Sequence, residues 1–482
     1  MKQKFATNLL LLILVNLLVK PFWIFGIDRN VQNIVGSGEY GLFFSLFNFS
    51  LLLNIVLDFG LTNFNNREIS RYSQLVSKYM SNIVGVKLLL ALFYFVFSIG
   101  LAIIMGYNGR QMYLLSFLVV NQFLSSLILY FRSNLSGLHL FKTDSLLSVL
   151  DKTLMIAICS IMIWGRIDGF VFTIEWFVYS QTFSYFITAI IAFLLVYKNI
   201  SYFKLTFDRL FLISIIKQSS PYAILVLLMT IYSRIDSVLI ERLLPGGNVE
   251  AGIYAQAFRL LDAASMVPFL FAGLLLPMFS KMIKNNESIQ PLTAFAFSLL
   301  IIPGIALSFS CIVYRSELIN LFYHSHISES SVILGLLMLS FIFISINYIF
   351  GTLLTANGNL KVLNIISGIG VVLNLVVNII LIPRFQATGA AYTNLTVQLI
   401  ITLLQVYASW KIFRFRVSSN GLIKFILFLM MSLTFTYLSR IIFDTRWEIG
   451  FIVSVIVIGL SSLLLKLIDL KELASLLFED KR

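Results

Sequence analysis

The 482-residue sequence predicts an all-α integral membrane protein with about fourteen transmembrane helices. Hydrophobic residues make up 59% of the chain, charged residues only 12%, and the mean hydropathy is +0.94. An ordinary soluble domain carries about twice that share of charged residues. The apolar residues also fall into runs that are long enough to cross the hydrocarbon core of a bilayer as helices.

Apolar runs of about 20 residues define the helices in order. The fourteen runs begin near residues 6, 40, 81, 112, 145, 172, 219, 251, 291, 331, 360, 388, 421 and 447. The first run has the charged start of a signal peptide but no small-residue cleavage site, so we interpret it as a retained helix. Several runs contain a proline, and transporters often place such breaks around a site at mid-membrane.

The basic residues predict the orientation. If the amino terminus is cytoplasmic, most of the 35 Lys and Arg residues lie in cytoplasmic segments, as membrane proteins prefer. We therefore predict that both termini are cytoplasmic. This topology also explains the net charge of +13, and the sequence offers no basic domain outside the membrane that would bind nucleic acid.

The short connections argue against catalysis. No loop is long enough to form a catalytic domain outside the bilayer, and the sequence has no phosphate-binding G-x-x-x-x-G-K-[ST] loop. Cys159 and Cys311 lie inside apolar runs, and His324 and His326 share one loop, so no metal site is expected. The sequence predicts a transporter without a bound cofactor rather than an enzyme.

An internal repeat predicts the domain organisation. Glu39-Tyr40-Gly41 matches Glu250-Ala251-Gly252 at an offset of 211 residues, and the same offset superimposes the first three predicted helices on helices seven to nine. Two six-helix lobes are therefore expected, related by a pseudo-twofold axis along the membrane normal. The predicted bounds are 1–200 and 219–412, with a cytoplasmic linker at 201–218 and two additional helices with a cytoplasmic tail at 413–482.

Short motifs in a fixed order give a family resemblance. They are Glu39-Tyr40-Gly41, Asp58-Phe59-Gly60-Leu61, Arg67-Glu68-Ile69, Arg234-Ile235-Asp236, Gly252-Ile253-Tyr254, Leu381-Ile382-Pro383-Arg384-Phe385 and Gly389-Ala390-Ala391. With these motifs the chain resembles the bacterial O-antigen and capsule flippases of the multidrug, oligosaccharidyl-lipid and polysaccharide (MOP) exporter superfamily. Gln386 departs from the pattern, because the family usually has glycine in that turn.

The resemblance implies a function. Such proteins move undecaprenyl-diphosphate-linked oligosaccharides across the bacterial inner membrane by alternating access, together with glycosyltransferases and a polymerase of the same pathway. Membrane potential, H⁺ or Na⁺ is the expected energy source. A murein-precursor (lipid II) flippase and a cation-coupled multidrug exporter remain alternatives within the fold, and a membrane polymerase remains an alternative of another class.

Charges inside the apolar runs are the candidate site, because an embedded charge is costly and usually functional. Five basic residues are predicted to attract the diphosphate: Lys20, Lys87, Lys152, Arg234 and Arg259. Lys20 and Lys87 have no acidic residue within one turn of their own helices and are the preferred candidates. Helical rise places Lys87 and Lys152 in an inner layer, and Lys20, Arg234 and Arg259 in an outer layer.

Acidic and amide residues complete the prediction. Asp58, Asp151, Asp236 and Asp262 are expected to form ion pairs, to gate the path or to couple transport to a cation. For Arg234, Asp236, Arg259 and Asp262, a purely structural cluster is equally compatible with the sequence. Helical stripes of amides are predicted to contact sugar hydroxyls or to bond neighbouring helices: Asn374, Asn378, Asn394 and Gln398.

Overall fold

The computed structural model describes residues 15–16, 18–165, 168–205, 209–415 and 419–467, without the side chains of Asn63, Arg71 and residues 209–219. The described residues form fourteen α-helices and contain no β-strand. The helices are α1 (Arg29–Leu52), α2 (Leu61–Arg71), α3 (Val76–Ile104), α4 (Gly109–Gly137), α5 (Phe141–Trp164), α6 (Ile174–Tyr197), α7 (Arg209–Leu243), α8 (Gly247–Lys284), α9 (Gln290–Val313), α10 (Arg315–Phe322), α11 (Ile327–Ala356), α12 (Leu360–Phe413), α13 (Ser419–Ile442) and α14 (Trp447–Leu464). A π-helical segment, Trp23–Asp28, precedes α1.

Eleven helices in the described part of the chain are long and apolar enough to cross a membrane. The predicted all-α membrane fold is therefore confirmed. Helix α12 contains two of the predicted crossings: its 54 residues would span about 81 Å if straight, but Gln386 adopts φ 53°. A Cβ at Gly389 would collide with the Leu381 carbonyl, so the chain folds back at Gln386.

The first two predicted crossings are also joined by a sharp reversal. Gly36 has φ 82°, a left-handed conformation that glycine adopts without a steric penalty. The Tyr40 hydroxyl donates to Asp28 Oδ2 at 2.6 Å, although residues 12 positions apart lie about 18 Å apart along one straight helix. The chain therefore reverses at Gly36 and forms a helical hairpin.

The chain divides into two compact units, Met1–Gly252 and Ile253–Arg482. In the first unit α4 packs against α2, α6 and α1, and α7 packs against α1. In the second unit α11 packs against α9 and α12, and α13 and α14 pack against α9. Because α7 packs against α1, the first unit extends beyond the lobe boundary that the repeat predicts, and the lobe boundary itself stays a prediction.

A close crossing between α1 and the first turn of α8 lies inside the first unit. A Cβ at Gly41 would collide with the Asn248 carbonyl, and a Cβ at Gly252 would collide with the Ser37 carbonyl. The repeat offset of 211 superimposes Ser37 on Asn248 and Gly41 on Gly252. The contact is therefore reciprocal, because each repeated segment presents the same glycine to the same position of the other.

Candidate functional site

The interruption between α1 and α2 forms a buried polar pocket in the first unit. Residues Asn54–Leu57 form a 3₁₀ turn, and Phe59 and Gly60 have φ 41° and 82°. Interrupted helices expose backbone carbonyls that intact helices use internally, and transporters place their sites at such breaks. Helices α3 and α4 supply Lys87 and Ser126 to this interruption.

Lys87 is held by three oxygen atoms. Its Nζ donates to Asp58 Oδ1 at 2.9 Å, to the Leu57 carbonyl at 3.1 Å and to Ser126 Oγ at 2.8 Å. The Lys87 side chain is 1% exposed, and its ammonium lies 5.7 Å from the centre of the Tyr130 ring. We call Leu57, Asp58, Lys87 and Ser126 the Lys87 pocket.

Asp58 links this pocket to the start of α2. Its carboxylate accepts from the Thr62 backbone N–H at 3.3 Å and from the Thr62 hydroxyl, while its other contact is Lys87. The carboxylate therefore interacts with both an ammonium and the positive end of a helix dipole. Asp58 is 26% exposed, so the pocket remains partly open at this residue.

A second group of charges in the first unit surrounds Lys20. The charge of Lys20 is attracted by Asp151 and repelled by Arg132 and Lys152. Arg132 is paired with Asp144 at 2.7 Å, and Lys152 is 3.4 Å from Asp151. We call these five residues the Lys20 group: its three basic and two acidic side chains leave one positive charge in excess.

Lys20 itself is half-buried. None of the ion pairs formed within the described ranges includes Lys20, whereas Arg132 and Lys152 each have a carboxylate in reach. The excess positive charge of the Lys20 group is therefore concentrated on Lys20. An embedded cation with this environment attracts an anion more strongly than a neutralised one does.

Aromatic rings enclose Lys152. Its ammonium lies 5.4 Å from the centre of the Trp23 ring and 5.0 Å from the centre of the Tyr185 ring, and it donates to the Tyr185 hydroxyl at 3.1 Å. Trp23 stacks on Phe177 with ring centres 5.7 Å apart. Trp23 belongs to the π-helical segment, and π-helical turns occur frequently at functional sites. Lys152 is thus stabilised by cation–π contacts as well as by Asp151.

The structure shows surroundings of the two preferred lysines that their own helices do not reveal. Lys87 has no acidic residue within one turn of its own helix, but Asp58 of a different segment pairs with it. The assignment of Lys20 to the outer layer is wrong, because Lys20 interacts with Asp151 and Lys152 of the inner layer. The helical segment that contains Lys20 continues to Gly36, about 24 Å beyond Lys20.

The remaining predicted charges lie in different units. Asp236 is buried, at 1% exposure, and Arg234 is half-buried, both within the first unit. In the second unit Arg259 and Asp262 are 3.9 Å apart and lie three residues apart on α8. Such a spacing places both side chains on one helical face. Their roles in binding or gating stay predictions.

The predicted amides lie on α12 in the second unit and are all buried. Asn378 Nδ2 donates to Asn374 Oδ1 at 2.9 Å. Gln398 Oε1 accepts from Asn347 of α11 at 3.0 Å. Gln398 therefore makes the interhelical bond that the sequence left as one of two alternatives, and sugar contact by these residues, including Asn394, stays a prediction.

A polar network without a predicted role lies at the predicted outer end of the first unit. Arg110 contacts Glu39 at 2.6 Å and Glu175 at 2.7 Å, and so connects α4 with α1 and α6. Nearby, Arg242 lies 3.9 Å above the Tyr107 ring, and burial raises the pKa of the Tyr107 hydroxyl. Arg110 and Glu39 also line a cavity of about 470 Å³.

Some of these contacts have a recognisable pattern in the sequence. Asn108 and Gln111 form a capping box at the start of α4, with both bonds at 2.9 Å, and the N-x-x-Q spacing before an apolar run is its sequence signature. Arg132 and Asp144 are opposite charges that flank a short turn, a pattern that favours pairing across a helical hairpin. The contacts of Arg110 join three distant segments and have no local signature.

The fold and the embedded polar groups define an all-α membrane protein with many apolar helices. The sequence profile described as "Polysaccharide biosynthesis protein" matches residues 5–283, more than half of the chain. The chain belongs to this family. The predicted relation to proteins of polysaccharide synthesis is thereby confirmed.

Known proteins share parts of the sequence or the fold. An uncharacterised membrane protein of Methanocaldococcus jannaschii is 22% identical over 409 residues, which cover 78% of each chain. The structure is similar to the lipid II flippase MurJ in an inward closed conformation, with a TM-score of 0.72 and 17% identity over 95% of this chain and 99% of MurJ. It is also similar to an inward-facing multidrug resistance MATE transporter, with a TM-score of 0.63 and 15% identity over 80% of this chain and 94% of the transporter.

Proposed function

We propose that the chain is a flippase. It moves undecaprenyl-diphosphate-linked oligosaccharide repeat units from the cytoplasmic to the outer leaflet of a bacterial inner membrane by alternating access. The translocated units serve the synthesis of a surface polysaccharide such as O-antigen or capsule. Both termini face the cytoplasm, as the distribution of basic residues favours.

The Lys20 group is the observation that carries this proposal. A diphosphate carries negative charge at neutral pH, and the Lys20 group combines one excess positive charge with Lys20, a half-buried ammonium. Lysine is a common phosphate ligand that acts as a point charge. A cationic drug would meet repulsion at this group, so the charge favours an anionic substrate over the cations that many multidrug exporters carry.

The aromatic side chains beside the Lys20 group suit the sugar part of the substrate. Trp23 and Tyr185 lie within 5.4 Å and 5.0 Å of the Lys152 ammonium, so rings and cations share one region of the first unit. Family membership supports a substrate from polysaccharide synthesis. In this proposal the diphosphate is attracted by Lys20, while the prenyl chain remains in lipid.

The membrane potential is the proposed driving force. Moving one negative charge out of an inside-negative compartment gains about 2.3 kcal/mol per 100 mV. A diphosphate with two charges therefore gains enough free energy for export without ATP. Exchange of H⁺ or Na⁺ at Asp151, Asp236 or Asp262 is a second source that the same assay tests.

The experiment is a reconstitution. Purified protein in liposomes is given a fluorescent undecaprenyl-diphosphate saccharide in the inner leaflet, and its appearance outside is followed with an impermeant quencher. We expect flipping that accelerates with an inside-negative potential and slows in Lys20→Ala. Lys142→Ala is the matched control, because Lys142 is an exposed lysine at the start of α5. Equal rates for Lys20→Ala and wild type would contradict the role of Lys20.

The same liposomes separate the alternatives. If lipid II moves faster than the saccharide carrier, a murein-precursor flippase is favoured. If a cationic dye is taken up against a Na⁺ or H⁺ gradient, a multidrug exporter is favoured. Formation of longer saccharides without transport would favour a polymerase. Replacing the imposed potential by a pH or Na⁺ gradient identifies the energy source.

A further inference from the structure

The ligand atoms around the Lys87 ammonium are those of a metal-cation site. The Leu57 carbonyl, the Asp58 carboxylate and the Ser126 hydroxyl all direct oxygen atoms at one point, at 2.8 to 3.1 Å from Nζ. Oxygen ligands of these three types are what hard metal cations prefer in proteins. We infer that Leu57, Asp58 and Ser126 form a binding site for a monovalent alkali cation, and that the Lys87 ammonium fills it.

The backbone break creates this site. In an uninterrupted helix the Leu57 carbonyl would accept a bond from the N–H four residues later, but here that N–H, of Leu61, bonds to the Asp58 carbonyl instead. The Leu57 carbonyl accepts from two side chains, Lys87 at 3.1 Å and Ser126 at 3.2 Å. Carbonyls released by broken helices coordinate Na⁺ in other transporters, so the geometry is of the kind that binds alkali cations.

The charge of the site matches one positive charge. Asp58 supplies the carboxylate, and it is also held by the Thr62 backbone N–H and hydroxyl. A single carboxylate balances a monovalent ion, whereas a divalent ion would leave a positive charge in a poorly solvated pocket. The ammonium of Lys87 has the charge of Na⁺ or K⁺ and occupies the position between the three ligands.

When the Lys87 ammonium is removed, the surroundings of the site favour binding of a metal ion over an empty site. Lys87 is buried, with its ammonium 5.7 Å from the centre of the buried Tyr130 ring and paired with Asp58, so its removal leaves both space and an unbalanced carboxylate. A buried charge without a partner is strongly destabilising. Asp58 is 26% exposed, which gives a hydrated ion a route to the ligands.

The inference predicts that Lys87→Ala gains alkali-cation binding. Thermal unfolding of the purified full-length protein is measured in NaCl, KCl and N-methyl-D-glucamine chloride at equal ionic strength. We expect wild type to unfold at the same temperature in all three salts. Lys87→Ala unfolds at a lower temperature in N-methyl-D-glucamine, and Na⁺ or K⁺ raises that temperature by about 5 °C in a saturable manner.

Two further variants identify the site. Lys87→Met removes the charge but keeps the side-chain volume, so it is expected to unfold at the same low temperature in all three salts. Lys87→Ala combined with Asp58→Asn loses the carboxylate ligand and is expected to lose the cation effect. These measurements use no transport substrate, so their outcome does not depend on the proposed flippase activity.

The inference is overturned if Lys87→Ala unfolds at one temperature in all three salts. It is equally overturned if wild type and Lys87→Ala gain the same shift from Na⁺ or K⁺, because the ion would then bind elsewhere. If Lys87→Ala fails to fold in every salt while Lys87→Met folds, the site does not accept a metal ion. A cation effect that survives Asp58→Asn removes Asp58 from the site.

Discussion

Lys87 and Lys20 belong to the same compact unit, and they differ in what surrounds the ammonium group. The Lys87 ammonium uses all three of its protons on oxygen atoms at 2.8 to 3.1 Å and is 1% exposed. Lys20 is half-buried, and the acidic residue that attracts it, Asp151, also lies beside Lys152. A lysine with satisfied protons stabilises the fold, whereas a lysine in a cationic group is available to an anionic ligand.

The largest expected difference between the two lysines is in stability. Lys87→Met leaves the Asp58 carboxylate without its ammonium partner; breaking a fully buried pair costs about 3–5 kcal/mol, which is an upper bound here because Asp58 is 26% exposed. Lys20→Met removes one of several neighbouring positive charges and is expected to change the free energy of unfolding by less than about 1 kcal/mol. Unfolding of the detergent-solubilised protein measures both. Similar losses for the two variants would contradict the comparison.

In transport, the expected effect is larger for Lys20 than for Lys87. Lys20→Ala is expected to slow the flipping of a diphosphate lipid by about 10-fold or more, because a hydrogen bond to a charged group contributes about 1.5–3 kcal/mol. The liposome assay measures the rate at matched protein levels, with Lys142→Ala as the control. A Lys20→Ala variant that transports at the wild-type rate would break the comparison, since neither lysine would then act on the substrate.

Ser126→Ala tests how much one ligand of the Lys87 ammonium contributes to stability. It removes one of three ligands of the ammonium and is expected to cost about 1 kcal/mol in the free energy of unfolding. Thr153→Ala is a suitable control, because the Thr153 hydroxyl bonds only to the Val149 carbonyl of its own helix among the described contacts. Equal effects of the two substitutions on the unfolding midpoint would show that Ser126 adds little to the Lys87 pocket.

Asp151→Asn tests the effect of charge on anion binding at the Lys20 group, and its expected effect is the smallest. It raises the excess positive charge of the Lys20 group by one and is expected to tighten binding of a soluble diphosphate analogue by about 2- to 5-fold, or roughly 0.5–1 kcal/mol. Asp58→Asn gives the contrast, because Lys87 is enclosed and no gain in binding is expected there. Isothermal titration measures both, and weaker binding by Asp151→Asn would contradict the prediction.

The fold could be predicted from the sequence because helices that cross a bilayer need long apolar runs. Runs of apolar residues long enough to cross the membrane needed no knowledge of partners. The reversals at Gly36 and Gln386 were also located between predicted helices, although Gln386 is not the glycine that the resemblance expects. Its φ of 53° shows that the turn forms with a side chain present.

The partners of embedded charges were less predictable than their positions. Lys87 was recognised as an embedded cation, yet Asp58 lies 29 residues away and reaches it through a break in the helix. Such a break depends on local backbone geometry at Phe59 and Gly60, which a hydropathy pattern does not contain. The same holds for Arg110, which lies 71 residues from Glu39 and 65 from Glu175.

The reciprocal crossing at Gly41 and Gly252 has a consequence for the origin of the chain. Two copies of one half-length polypeptide that associate about a twofold axis form an interface in which each copy contributes the same residues. Ser37 with Gly252 and Gly41 with Asn248 form that pattern within a single chain. The crossing has the form of a homodimer interface that a gene duplication and fusion joined into one polypeptide, with glycine retained on both sides because neither backbone leaves room for a side chain.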